Sequence, residues 1–270
     1  MSTRFRVRPC LVSAAACLLL DFTNFGTAAG TAAEIALDAR RSGYELMGRE
    51  TQMMQDDDAT NPGMLWVLDG EALWNRKAGA ADRACNFCHG DARTSMKSVA
   101  ARYPVFESTR ARPINLEQRI NICRTERQKA APLAFESREL LALTAYVARQ
   151  SRGLPIRIAV DERTRTFLEA GRETFLRRQG QLNLACAQCH DDNWGKRLGG
   201  SVIPQAHPTG YPLYRLEWQG LGSLQRRLRN CFAGMRAQAP DFGAAELVDL
   251  ELFLMWRAQG MKVETPAVRP

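Results

Sequence analysis

The sequence predicts an all-α fold of two tandem helical domains behind an N-terminal extension, and three internal repeats carry that prediction. Cys85-Asn86-Phe87-Cys88-His89 recurs 101 residues later as Cys186-Ala187-Gln188-Cys189-His190. Residues 115–123 recur 108 positions on as 223–231. Both copies open on a good N-cap, Asn115 or Ser223. Both place a thiol on one helical face with two apolar residues: Leu116, Ile120 and Cys123 in one, Leu224, Leu228 and Cys231 in the other. Residues 139–153 recur as 246–260, each an amphipathic helix stopped by a glycine.

The first 33 residues read as a secretory leader. Arg4, Arg6 and Arg8 make a basic start, Cys10 to Leu20 a short apolar run, and Ala28 to Ala33 a small-residue cleavage region, with cutting expected after Ala33. In the extension, Ser42 and Glu45 have capping-box spacing, and Asn61-Pro62-Gly63 closes the segment, which is expected to wrap the first domain. A helix over 64–79 follows, marked by Leu65, Leu68 and Trp74. Its counterpart over 162–179 carries Phe167, Gly171 and Phe175 at four-residue steps. A linker near 155–161 separates the halves. The expected division is therefore a signal peptide at 1–33, extension plus first domain at 34–158, and a second domain at 159–270. Beyond the leader, no stretch is apolar for long enough to span a bilayer.

Cys-x-x-Cys-His is the attachment signature of c-type haem. Two thiols three residues apart reach the vinyl groups, and the following imidazole meets the iron. A zinc site needs more Cys and His ligands than either run supplies. Cys85, Cys88, Cys186 and Cys189 are thus expected to hold two covalently bound c-type haems, with His89 and His190 as axial ligands, in two cytochrome c-like domains. Covalent attachment takes place outside the cytoplasm, so the motifs and the leader together point to a bacterial periplasm.

The opposite iron faces need ligands too. Only one further histidine exists, His207, so two bis-His haems cannot form within the chain. Cys123 and Cys231 lie at equivalent places in equivalent helices, and thiolate is a sound haem-iron ligand. Ligation by Met96, Met235 or Met255, or a Cys123–Cys231 disulfide, are the alternatives at this point. An iron-bound thiolate stabilises ferric iron and stays deprotonated, which suits sulfur chemistry better than plain electron relay.

The formal charge is +8, and removing residues 1–33 takes three Arg and one Asp, leaving +6. A basic surface attracts anions or an acidic partner. The basic residues are scattered and build no nucleic-acid module, so no nucleic acid is expected.

With these residues in view, the chain resembles the SoxA family, the larger subunits of the periplasmic SoxAX cytochromes. The resemblance runs through 50–58, Asn61-Pro62-Gly63-Met64, both Cys-x-x-Cys-His runs, His207-Pro208-Thr209-Gly210, Tyr214-Arg215-Leu216, 227–231, Met235-Arg236-Ala237 and Pro266-Ala267-Val268-Arg269. It implies an L-cysteine S-thiosulfotransferase that couples thiosulfate oxidatively to a cysteine of a SoxYZ-like carrier and passes electrons to haem. It further implies Cys231 as distal ligand and active-site sulfur, found as a persulfide, and Arg227 as the substrate-binding residue. His190 and Cys231 would flank the catalytic haem, and His89 and Cys123 the other. A SoxX-like monohaem cytochrome would complete a heterodimer, with a cytochrome c as electron acceptor. The residues alone leave Arg227 open, because Arg119 stands in the same place before Cys123. A dihaem electron-transfer cytochrome without substrate chemistry is the alternative function; the shortage of histidine counts against a dihaem peroxidase.

Overall fold

In the computed structural model, which describes residues 1–2 and 35–270, one succession of elements occurs twice. The leader expected at 1–33 falls, apart from its first two residues, outside the described residues. The extension holds a 3-10 turn (Leu37–Ala39) and helix α1 (Arg49–Asp56). The first copy runs α2 (Met64–Asn75), α3 (Cys85–His89), α4 (Ala92–Ser95), a hairpin of β1 (Val105–Glu107) and β2 (Arg112–Ile114), α5 (Leu116–Cys123) continued by a π turn, and α6 (Arg138–Arg149). The second runs α7 (Glu162–Leu176), α8 (Cys186–His190), the two-residue strands β3 (Arg197–Leu198) and β4 (Ser201–Val202), a hairpin of β5 (Leu213–Arg215) and β6 (Gly220–Gly222), α9 (Leu224–Gly234) and α10 (Ala245–Arg257). Strand β7 (Val268–Arg269) then adds to β5 in parallel.

The fold is helical with short strands, not purely α. The main hairpins match in register, Val105 opposite Ile114 and Leu213 opposite Gly222. Their turns use left-handed residues at equivalent positions, Ala111 and Gln219. Strands of two or three residues leave too little alternation to read from the sequence, and Pro104, Pro113 and Pro212 argue against strand there.

Within each copy the first and last long helices pack together, α2 on α6 and α7 on α10. The contact is made backbone to backbone. A Cβ on Gly70 would overlap the Ala142 carbonyl, and one on Gly171 would overlap the Asp249 carbonyl. Trp74, Leu141, Ala145 and Tyr146 bury around the first crossing. Leu168, Phe175, Leu247, Leu250 and Phe253 bury around the second. Leu65 and Leu68, expected to mark the buried face of α2, are instead 57% and 59% exposed. The buried face is Val67, Gly70 and Trp74, because the glycine sets which side can approach α6.

α5 and α9 start where the capping residues place them. The Asn115 side chain accepts from the Gln118 N–H, and the Gln118 side chain accepts from the Asn115 N–H in return; the Ser223 hydroxyl accepts from the Arg226 N–H.

The extension departs from expectation in two ways. The Ser42 N–H does donate to Glu45 Oε1 at 3.2 Å, yet only turns follow, and α1 begins after Gly48, whose backbone is extended. Nor does the segment wrap the first half alone. Arg149 and Arg152 hold Asp58 on that side. Toward the second copy, the Arg41 N–H donates to Gln205 Oε1 at 2.7 Å, Asn61 donates to the Pro266 carbonyl at 2.9 Å, and the Val268 N–H donates to Gln55 Oε1 at 3.0 Å. The buried amides of Gln55 and Asn61 thus satisfy main-chain groups of the C-terminal strand. Residues from 35 onward form one compact unit. None of its described helices is long and apolar enough to cross a membrane.

Candidate functional site

Each Cys-x-x-Cys-His run folds as one helical turn, α3 or α8, between the long helix before it and the capped helix after it. A cavity of about 460 Å³ is lined by Cys85, Cys88 and His89 on one side and Cys123 of α5 on the other. A second, of about 370 Å³, is lined by His190, Cys231 and Arg227. Cys123 and Cys231 are free thiols bordering different cavities, not a disulfide. Among the methionines, Met96 lines the first cavity, while Met235 packs into the second core.

Each motif histidine stands beside an aromatic residue from the preceding long helix. Trp74 lies 5.6 Å from the His89 ring, and Phe175, 101 residues further on, lies 6.5 Å from His190. His190 has an orienting partner as well. Its Nδ1 is 2.6 Å from the Pro204 carbonyl, so Nδ1 carries the proton and Nε2 keeps its lone pair. Burial, ahead of the nearby Arg227 and Arg257, pushes the His190 pKa down and favours the neutral imidazole a metal needs.

The buried thiols Cys85 and Cys186 lack the lowered pKa of a reactive redox thiol. A redox Cys-x-x-Cys pair has a lowered thiol pKa. Here burial pushes Cys85 up, and burial followed by the neighbouring Cys231 pushes Cys186 up to about 12. Among the described residues no group of three or more His, Cys, Asp or Glu is placed to hold a metal ion. In the first cavity the apolar wall, the paired thiols, the imidazole and a third sulfur fit a c-type haem; the second brings together His190 and Cys231, with Cys186 and Cys189 outside its lining.

The two cavities differ around the third sulfur. Arg119 is tied up: its Nη2 donates to Glu107 Oε2 at 2.6 Å and its Nε to the Tyr103 hydroxyl at 3.3 Å. Arg227 makes no side-chain hydrogen bond or ion pair among the described residues. Beside Cys231, Gly234 borders open space, whereas Gly222 is covered by the Trp218 ring. Trp218 itself lies against Arg226 at 4.2 Å, and Trp194 is 43% exposed. His207 is structural: its Nδ1 meets the Arg41 carbonyl at 3.0 Å, and burial pushes its pKa down to about 4. Sequence reasoning missed Pro204, Trp74 and Phe175 as supports. The 101-residue offset between Trp74 and Phe175 was the available signal.

Residues 69–156 match the family model of the SoxA/TsdA cytochrome c domain. The L-cysteine S-thiosulfotransferase subunit SoxA of Pseudaminobacter salicylatoxidans is 39% identical over 93% of this chain and 88% of its own length. The chain belongs to the SoxA family. Its relative from Rhodovulum sulfidophilum, of the same name, is 35% identical over 90% of this chain and 85% of that one. The crystal structure of SoxXA from P. pantotrophus superposes with a TM-score of 0.83 at 29% identity, covering 86% of this chain and 87% of that one. As a SoxA subunit the chain is part of an L-cysteine S-thiosulfotransferase and contains a cytochrome c domain, which implies c-type haem.

Proposed function

We propose that this chain is the periplasmic dihaem subunit in which Cys231 joins thiosulfate to a cysteine of a SoxYZ-type carrier. It would be exported by the leader at 1–33 and would pair with a SoxX-type monohaem cytochrome. The observation that carries this reading is that His190, Cys231 and Arg227, whose side chain has no partner among the described residues, line one cavity. The 101- and 108-residue repeats of element and side chain support tandem cytochrome c-like domains at 34–158 and 159–270.

Cys85 and Cys88 would hold one haem together with His89 and Cys123; Cys186 and Cys189 would hold the other together with His190 and Cys231. When bound, haem supplies a one-electron acceptor at the sulfur and keeps Cys231 in thiolate form. The chain's own groups do the rest. Arg227 binds the dianion, and the Pro204 carbonyl fixes His190. The Cys231 sulfur bonds to the sulfane sulfur of thiosulfate, giving an S-thiosulfonate as two electrons depart toward a cytochrome c acceptor. The carrier thiolate then attacks the sulfane sulfur, takes the S–SO₃⁻ group and releases the Cys231 thiolate. Charge balances at each step, and the persulfide form of Cys231 is a resting modification of the same atom.

The test is Cys231→Ala in the reconstituted heterodimer, assayed for thiosulfate- and carrier-dependent reduction of ferricytochrome c. Activity should fall at least about 1000-fold, as for a lost nucleophile; wild-type turnover would leave only an electron relay. Intact mass near Cys231 in fresh, unreduced protein checks the persulfide, which an unmodified thiol contradicts.

A further inference from the structure

The two copies carry opposite charge at one equivalent position. Tyr103, Glu107, Arg119 and Cys123 recur 108 residues on as Tyr211, Arg215, Arg227 and Cys231, and the hairpin registers place Glu107 and Arg215 alike, opposite Arg112 and Gly220. In the first copy Glu107 accepts from both Arg119 and the Thr109 hydroxyl, and those bonds hold its carboxyl down at about 2. The arginine before Cys123 is therefore neutralised.

In the second copy the carboxylate is replaced by a cation. Arg215 and Arg227 both line the cavity that holds Cys231. Arg215 is held in place: its Nε donates to the Pro270 oxygen at 2.9 Å, its Nη2 sits 3.2 Å from Glu217, and its guanidinium carbon is 5.3 Å from the Trp218 ring centre. Its Nη1 has no partner among the described residues, and neither has the Arg227 guanidinium. Burial, then repulsion from Arg227, pushes the Arg215 pKa down. Among the described residues the side-chain carboxylate on the pair, Glu217, is 64% exposed and screened by water, and the Pro270 oxygen is exposed too. Arg197 and Arg269 also line the cavity, but Arg269 is paired with Glu264 and Arg197 is exposed. Arg215 and Arg227 face it without a buried counter-charge of their own and repel each other until an anion enters.

We propose that Arg215 and Arg227 together form a two-armed clamp for a divalent oxyanion, holding the sulfonate of thiosulfate so that its sulfane sulfur faces Cys231. This rests on the functional reading above and assigns Arg215 as a second substrate-binding residue. At the same position the first cavity's Arg119 is paired with Glu107, so this pair of arginines is not repeated beside Cys123.

The experiment uses the haem-loaded heterodimer and measures thiosulfate and sulfate binding by calorimetry beside turnover. Arg215→Gln should weaken both anions about 10- to 100-fold, as for a lost charged hydrogen bond, and should leave carrier KM unchanged. Arg215→Lys should recover most of the affinity. Unchanged anion affinity in Arg215→Gln with an altered haem spectrum would assign the residue to a propionate and overturn the clamp. Absence of dianion binding by wild type would overturn it as well. Should Arg215→Gln fail to accumulate, the surface change Glu217→Gln should tighten thiosulfate about 2-fold; equal or weaker binding sinks the proposal. Turnover by Cys231→Ala, with anion binding still dependent on Arg215, would reject the transferase reading and keep the anion site.

Discussion

Arg257 shows how much one side chain carries beneath the second cavity. It is 4% exposed, its Nη2 donates to Asp191 at 2.6 Å, and its guanidinium lies over the Phe175 ring at 4.7 Å. Removing one partner of a buried pair strands the other charge. Arg257→Ala should therefore cost about 3–5 kcal/mol in denaturant unfolding. Arg177→Ala, which breaks the exposed contact with Glu246, should cost under about 1 kcal/mol. At this scale the sequence was unevenly legible. Cys85 to His89 and Cys186 to His190 stood out by spacing alone, and each folds as one helical turn. The exchange of Glu107 for Arg215 did not, because equivalence between them depends on hairpins whose strands were too short to recognise.

Elements were legible where local signals agreed with packing. Asn115 and Ser223 marked the starts of α5 and α9, and the long helices α6 and α10 followed from apolar spacing and a stopping glycine. Buried faces were harder. Leu65 and Leu68 were natural choices for the core of α2, but hydrophobicity does not report which side another backbone can approach. Gly70 and Gly171 decide that. Gly70→Ala and Gly171→Ala should each force their helix pair apart and cost about 1–3 kcal/mol, read as a lower Tm. Gly48→Ala, with nothing within 4 Å of an added Cβ, should leave Tm within a degree or two.

For the whole molecule, stability should fall as pH rises from about 6.5 to slightly above neutrality. Burial raises Glu117 to about 7 and Glu251 to about 8, each from a different copy, with Glu117 as the second cause at Glu251. Both carboxyls hold protons in the folded chain at pH values where the unfolded chain has released them. Their contribution is complete below about pH 4.5 and is lost as pH climbs through about 7 to 8. Glu107 acts oppositely, since its pKa is lowered to about 2; its contribution is present above about 4.5 and disappears toward pH 2. Denaturant midpoints between about pH 6.5 and 8 should decline in wild type, and Glu251→Gln should flatten that slope; below about 6.5 His207 and His190, whose pKa values are lowered, act in the opposite sense. An undiminished slope in the variant would remove Glu251 as a cause.

The extension was the least legible part at this scale, because its partners lie far along the chain. Gln55 meets Val268 across 213 residues, and Gly43, Leu46, Met47 and Gly48 form part of the wall beside Cys231. A stretch made early can dock only after the last strand emerges, so this side of the second cavity must be the final piece to close. On the proposed function, haem loading at Cys186 and Cys189 would then belong before that closure, and maturation would have its own window in time.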